Sequence, residues 1–430
     1  MKFLNFNSVR FWNKLEDHLS LREDDTSSKI ESDVKSIIQD IKQYGDDKII
    51  QFAKDFDKIS LRKDEIKLHN LKQFYSIDKL NNDIVKSFRL AIQNIKNFHE
   101  KQYPQDYELT NMNAKLKSIW KPMDSVGLYV PGGNAVYPSS LIMSVVPAQI
   151  AGVKRIVCVT PPSNKLNPYI AFLLDELNIS EIYQIGGAQA IAALTYGSET
   201  IKPVNKIFGP GNAYVAAAKK QVFGKVGIDL VAGPSEIIVV ADEENNPEWV
   251  ASDIMAQAEH DENAQSILIT NSNIFAKKVL EYIENLKKNL SKKTVVEISL
   301  KKNGLIVIMD DLKLSYQIIN KIAPEHLHLQ SKEKEIIFKN VNNAGGIFIG
   351  DYSTEAFGDY VAGTNHILPT SGAAKFSSGL SVTDFMKKSS VVEINKLSYE
   401  NLSKHVENIS DVENLDAHKL SVTIRQTKQN

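Results

Sequence analysis

Two hydrophobic periods divide the chain. Over the first hundred residues apolar positions follow helical spacing. Ile30, Val34, Ile37, Ile38 and Ile41 share one face of a helix expected over 27–44 and closed by Gly45. Ile84, Val85, Phe88, Ile92, Ile95 and Phe98 do the same over 81–99. Residues 1–25 read as a short arm, and 100–124, polar and holding Pro104 and Pro122, as a linker. From 126 short β-branched runs alternate with helical stretches. The expected strands are 126–130, 156–160, 181–185 and 206–208, with helices at about 141–152, 168–177, 188–195 and 212–222. A second series begins near 237 with IIVVA and continues through SILIT (266–270), LIVIM (305–309) and GIFIG (346–350). Such alternation implies parallel sheets with helices on both faces. The expected fold is therefore α/β, with two Rossmann-like lobes and small helical N- and C-terminal elements. Residues 26–125 and 237–381 form one lobe, 126–236 the other, and 382–430 a polar, mostly helical tail.

Composition narrows the function classes. The chain has 430 residues and a formal net charge of −1, and its Arg residues are confined to positions 10, 22, 62, 89, 155 and 425. Neither a basic surface for nucleic acid nor clustered Arg for anion recognition is expected. A single cysteine, Cys158, excludes a cysteine-built zinc or iron–sulfur site within one chain. The N-terminal residues lack the apolar stretch of a signal peptide, and no apolar run is long enough to span a bilayer. A soluble, cytoplasmic protein with no membrane partner is expected.

Three glycine turns follow expected strands: Gly132-Gly133, Gly186-Gly187 and Gly209-Pro210-Gly211-Asn212. At the carboxyl edge of an open α/β sheet, glycine allows backbone to approach a phosphate, and a helix N-terminus offers N–H donors. Any one of these turns is explained as well by simple chain reversal; three on one edge favour a nucleotide-like ligand. Of nine histidines, His18, His69, His99 and His405 lie in charged helical stretches and are expected in solvent. His328, between Leu327 and Leu329, reads as a strand residue. Gln257 and His260 are three apart and share a helix face, which suits a metal or a solvated helix end equally. Asp359 lies seven residues before His366 in a Gly-rich segment read as a loop. Glu413 and His418 lie in the tail, whose Leu415, Leu420 and Val422 suggest that it docks. In Ala323-Pro324-Glu325-His326 an acid and an imidazole leave a turn together, a pairing suited to proton transfer.

Together these segments resemble the histidinol dehydrogenase family. The resemblance is carried by VGLYVPGGNAVYPSS (126–140), QIGGAQAIAALTYG (184–197), KIFGPGNAYVAAAK (206–219), GIDLVAGPSEIIVVAD (227–242), MAQAEHDENAQSILIT (255–270), KIAPEHLHL (321–329), GDYVAGTNHILPT (358–370) and ENLDAHKLSVTIR (413–425). It implies oxidation of L-histidinol through L-histidinal to L-histidine, the last steps of histidine biosynthesis, with NAD as hydride acceptor. It implies one zinc ion held by Gln257, His260, Asp359 and His418, the last from the partner subunit of a homodimer. Glu325 is then the activator of water and His326 the general acid and base. Ser235, Gln257, His260, His326, Asp359, His366, Glu413 and His418 are implied at the substrate, and Tyr129, Gln189 and Asn212 at NAD. On this resemblance 126–236 is the NAD lobe, 26–125 with 237–381 the zinc and substrate lobe, and 382–430 a dimerisation element. A zinc hydrolase would share the metal donors and the glutamate, but leaves the three glycine turns without a purpose. A binding protein without catalysis is the third reading; such two-lobed proteins are commonly exported, and no export signal is visible.

Overall fold

The computed structural model describes residues 1–20, 28–132, 137–163, 165–231 and 233–426. Gly133 of the first glycine turn and residues 21–25 of the arm lie outside them. The strands are β1 (Lys2–Asn5), β2 (Tyr107–Asn111), β3 (Ala114–Pro122), β4 (Ser125–Tyr129), β5 (Arg155–Thr160), β6 (Glu181–Gln184), β7 (Lys206–Phe208), β8 (Gly227–Ile228), β9 (Glu236–Val240), β10 (Gln265–Thr270), β11 (Leu305–Ile308), β12 (His326–Leu329), β13 (Gly346–Ile349) and β14 (Met386–Glu393). The chain divides into two compact units, one of residues 1–102 and 123–385, the other of 103–122 and 386–430.

The first unit holds two sheets whose pairings are all parallel. One has the order β6-β5-β4-β7-β8, the other β1-β11-β10-β9-β12-β13. The central strands β4 and β9 are buried at every residue, as parallel strands covered on both faces must be. In the five-stranded sheet the chain moves outward from β4 through β5 and β6, then returns to build β7 and β8 on the other side. Its switch point lies between β4 and β7; that of the six-stranded sheet lies between β9 and β12.

Apolar clusters fill the faces. Ile237, Val239, Leu268 and Ile306 point to one side of the six-stranded sheet, and Ile238, Val240, Ile267 and Val307 to the other. The helix Ser28–Asp55, grouped from sequence with residues 237–381, packs Val34, Ile37, Ile38 and Ile41 into the core of the five-stranded sheet. It leaves helical geometry at Gly45 (φ 50°), where a Cβ would meet the Glu199 carboxylate, and then resumes. His18 and His99, expected in solvent, are buried. His18 Nε2 pairs with the Asn303 carbonyl and His99 Nδ1 with the Ile95 carbonyl, so burial leaves neither ring without a partner.

The second unit corrects the linker expected at 100–124. Residues 107–111 and 114–122 are antiparallel strands, and β14 pairs with β3 along its whole length to give the order β14-β3-β2. The helices Lys396–Val412 and Asp416–Gln426 complete this unit. Among the described residues no helix is long and apolar enough to cross a membrane.

Candidate active site

Four chain segments converge at the amino edge of β9 and β12. Glu236 opens β9 ahead of four buried apolar residues. The helix Tyr316–Ile322 ends on Ala323, whose backbone is left-handed (φ 55°, ψ 64°). Pro324 cannot continue the helix, so the chain turns straight into β12 and delivers Glu325 and His326 to its start. Gly345 N–H donates to the Pro324 carbonyl at 2.9 Å and Gly346 N–H to the Glu325 carbonyl at 2.8 Å, fastening this turn to the strand beside it. Gln257 lies in the last turn of the helix Pro247–Ala258, and His260 follows just beyond its end. Asp359 rides on a short helix, Glu355–Tyr360, rather than the irregular loop expected, and Glu355 lies four residues before it on the same face.

The polar groups interlock. Glu236 N–H donates to Glu325 Oε2 at 2.9 Å, and Glu325 N–H donates to Glu236 Oε2 at 3.3 Å. Gln257 is buried beside them, its amide nitrogen 3.4 Å from Glu325 Oε2. With the amide turned over it donates to both Glu355 oxygens and accepts from Glu236 N–H, each at 3.0 Å. His326 Nδ1 lies 3.2 Å from the Glu236 carbonyl, an acceptor only, so Nδ1 carries hydrogen there. Its Nε2 is buried without a hydrogen-bond partner and faces Asp359 Oδ1 at 3.6 Å.

Charge in this cluster is unevenly held. Burial pushes the Glu325 carboxyl up to about 7 and the Glu355 carboxyl up to about 8, against the opposing pull of His326. Burial also disfavours charge on His326, but Glu325, Asp359 and Glu355 outweigh it and raise the imidazole to about 10. For Asp359 the order is reversed: burial raises it, and the imidazole of His326 facing it at 3.6 Å brings it below the usual carboxylate range. His260 and His366 are held below the ordinary histidine value by desolvation. His260 is nonetheless exposed, and it interacts electrostatically with Asp359 and His326.

The remaining expected residues fall into place variously. His366 has both ring nitrogens engaged, Nδ1 at 3.1 Å from the Asp359 carbonyl and Nε2 at 3.0 Å from Ser140 Oγ. A cavity of about 640 Å³ opens beside Asp359 and His366, walled by Phe348, Phe357 and Leu368. Ser235 is half-buried immediately before Glu236. Tyr129, Gln189 and Asn212 gather at the switch point of the five-stranded sheet. The Tyr129 hydroxyl accepts from Gly187 N–H at 3.1 Å, and a Cβ on Gly187 would lie 2.6 Å from Gln189 Oε1. Asn212 caps the helix Ala213–Val222 by accepting from Tyr214 and Val215 N–H, both at 3.1 Å. Glu413 and His418 belong to the second unit, where both are exposed.

Among the described residues no three His, Cys, Asp or Glu side chains form a metal-holding group. The donor set expected from sequence offers only His260 and Asp359 of those types in the first unit; the others are an amide and a residue of the second unit. Glu236 and Glu355 were missed from sequence. Glu236 is a lone charge heading a wholly apolar strand, and Glu355 stands at helical spacing from Asp359; each was a usable signal.

Residues 20–426 match the family described as Histidinol dehydrogenase. The chain is 44% identical over 403 residues to a histidinol dehydrogenase of Brucella suis, covering 93% of this chain and 94% of that one. It is 43% identical over 410 residues to one of Clostridium acetobutylicum, covering 95% of each. The crystal structure of histidinol dehydrogenase from Elizabethkingia anophelis superposes with a TM-score of 0.93 at 34% identity, over 99% of this chain and 98% of that one. With a match across nearly its whole length in sequence and in fold, the chain belongs to the histidinol dehydrogenase family, a family of oxidoreductases.

Proposed function

We propose that the chain oxidises L-histidinol to L-histidine in two NAD-dependent steps, in the cytoplasm, at a zinc-containing site completed by a second copy of the chain. The observation that carries the reading is His326: one ring nitrogen is turned to a backbone carbonyl, and the other is buried, unpartnered and aimed at Asp359.

The residues present fit zinc. His260 is held neutral and Asp359 ionised, the forms in which each can ligate a divalent cation, and the buried Glu325 and Glu355 carboxyls, pushed up by burial, would be drawn back toward ionisation by a cation beside them. Gln257, His260 and Asp359 would hold the ion, with the partner's His418 as fourth ligand. Bound there, zinc supplies a Lewis-acid anchor for the imidazole and amine nitrogens of histidinol. Ser235, His366 and the partner's Glu413 would line the rest of the substrate. Tyr129, Gln189 and Asn212 would hold NAD at the switch point of the other sheet.

The chain's own groups then divide the work. His326 keeps its proton because carboxylates surround it; once they are paired with a cation, Nε2 is free to act as base. It takes the hydroxyl proton of histidinol as hydride passes to the nicotinamide, giving the aldehyde. An aldehyde yields no second hydride until water adds to it. Glu325, poised near neutrality by burial, takes a proton from that water while His326 returns to the carbonyl oxygen the proton it took in the first step, which resets its Nε2 as a base. His326 takes the hydroxyl proton of the hydrate as the second hydride leaves, and the product is the carboxylic acid.

The test is stoichiometric. Zinc-loaded protein given limiting histidinol and excess NAD should form two molecules of reduced nicotinamide per histidinol, followed by its absorbance. Glu325→Gln should stop at one, with aldehyde trapped by a hydrazine reagent. His326→Asn should slow both steps by roughly 10²–10⁴-fold. Absence of reduced nicotinamide with the intact protein would end the proposal.

A further inference from the structure

Lys219 and Asp229 form an ion pair whose side chains are only 2% and 3% exposed. A pair so deeply buried gains little over apolar residues of the same size. Its hydrogen bonds nonetheless go to one place. Lys219 Nζ donates to the Gly209 carbonyl at 3.0 Å, and Asp229 Oδ2 accepts from the Gly209 N–H at 2.8 Å. Both backbone polar groups of one residue are thus taken by the two halves of the pair. Gly209 sits at the switch point between β4 and β7, with φ 108°, and a Cβ there would lie 2.3 Å from the Tyr129 carbonyl oxygen. The next three residues, Pro210-Gly211-Asn212, lead into the helix that carries Lys219, so the lysine reaches back to lock the loop preceding its own helix.

We propose that Lys219 and Asp229 are positioning residues for the dinucleotide: their pair sets the Gly209 backbone and holds the Pro210–Asn212 turn in its cofactor-ready form. Neither side chain touches the ligand, because both are enclosed and already partnered. The proposal rests on reading this lobe as the NAD site. It explains why a costly pair sits beneath the loop: an anchored turn does not have to be ordered when the dinucleotide binds, and that ordering would otherwise be subtracted from affinity.

Three measurements test it on the full-length, zinc-loaded protein. Lys219→Met/Asp229→Leu removes both charges at once and should raise the NAD dissociation constant about 10-fold, the scale of losing a hydrogen bond to a charged group. Histidinol affinity, zinc content and kcat at saturating NAD should not change. Asp229→Asn keeps an acceptor for Gly209 but drops the charge facing Lys219, and should give a smaller shift of the same sign. In the unsubstituted protein the Gly209 amide should resist hydrogen exchange without NAD as well as with it. Wild-type NAD affinity in either folded variant, or a freely exchanging Gly209 amide in the absence of NAD, overturns the proposal. If Tyr129→Phe and Asn212→Ala also leave NAD binding untouched, it is the assignment of the lobe that fails.

Discussion

Stability of metal-stripped protein is expected to fall as pH rises, and three buried side chains set the sign. His326 is raised from 6.5 to about 10. The stability it contributes is complete below 6.5 and lost as pH rises through 10. Glu325 and Glu355 are raised from 4.5 to about 7 and about 8. Acids with raised pKa cost nothing while protonated in both states, below 4.5, and cost most once pH passes the folded value. All three therefore pull the same way, and above about pH 6.5 they are unopposed, because His99, His260 and His366, held low by burial, are neutral there whether folded or unfolded. Thermal unfolding across that range should show a falling midpoint, and Glu355→Gln should flatten the part below about pH 8. A midpoint that rises between pH 7 and 9 would contradict this account. The sequence made Gln257, His260, Glu325, His326, Asp359 and His366 visible because each is a ligand or base type in a short polar break. Glu236 and Glu355 are harder to read, because neither sits in a motif with a second ligand or base type: their signals are only a lone charge heading an apolar strand and a four-residue spacing from Asp359.

Elements were legible wherever burial imposed a clear period. The wholly buried strands β4, β9, β10 and β11 stand out as apolar runs, and the helices between them begin at recognisable caps such as Asn167, Asn212 and Asn246. The strands β2 and β14 stayed hidden because most of their residues face solvent on both sides. MKKSSVVE is held by backbone pairing without hydrophobic alternation, and the brief alternation of YELTN, whose Tyr107 and Leu109 are exposed, is too short to set apart from a linker. The Pro324–Glu325 turn shows an element acting on chemistry. A Cβ on Gly345 would lie 2.6 Å from the Glu325 carbonyl oxygen, a backbone atom with no rotamer to escape into. Gly345→Ala must push β13 away from the turn or carry Glu325 and His326 with it. A displacement well under the width of an atom is enough to lower kcat, by about 10- to 100-fold. The expected signature is a kcat loss out of proportion to the change in unfolding midpoint, with NAD affinity retained. Equal kcat in a soluble Gly345→Ala protein would show that the turn is not held from this side.

At the scale of the whole first unit, the two sheets use opposite edges. The expected NAD residues occupy the carboxyl ends of β4 and β7, where an open parallel sheet ordinarily binds ligands. The six-stranded sheet has its own switch point between β9 and β12, yet Glu236, Glu325 and His326 gather at the amino ends of those strands. Topology alone points to the carboxyl edge, whereas the acid, amide and imidazole side chains gather at the amino edge. The carboxyl-end crevice of this sheet is filled by the chain itself. Asn245 accepts from Asp242 N–H at 2.8 Å and donates to the Gln330 carbonyl at 3.1 Å and to Asp351 Oδ1 at 3.0 Å. Behind it Asp253 is bonded by Gln330 at 2.6 Å and lies 3.2 Å from His328 Nδ1, so the carboxylate, the Gln330 amide nitrogen and the imidazole there are spent on one another. Asn245→Ala removes three hydrogen bonds, two of which span the switch point, and should cost about 1–3 kcal/mol of stability. Because no ligand is assigned to that edge, kcat and the affinities for NAD and histidinol should match the unsubstituted protein in assays well below the unfolding midpoint. A selective loss of NAD or histidinol affinity in Asn245→Ala would mean that this crevice is a working site, and that the six-stranded sheet binds ligand at both of its edges.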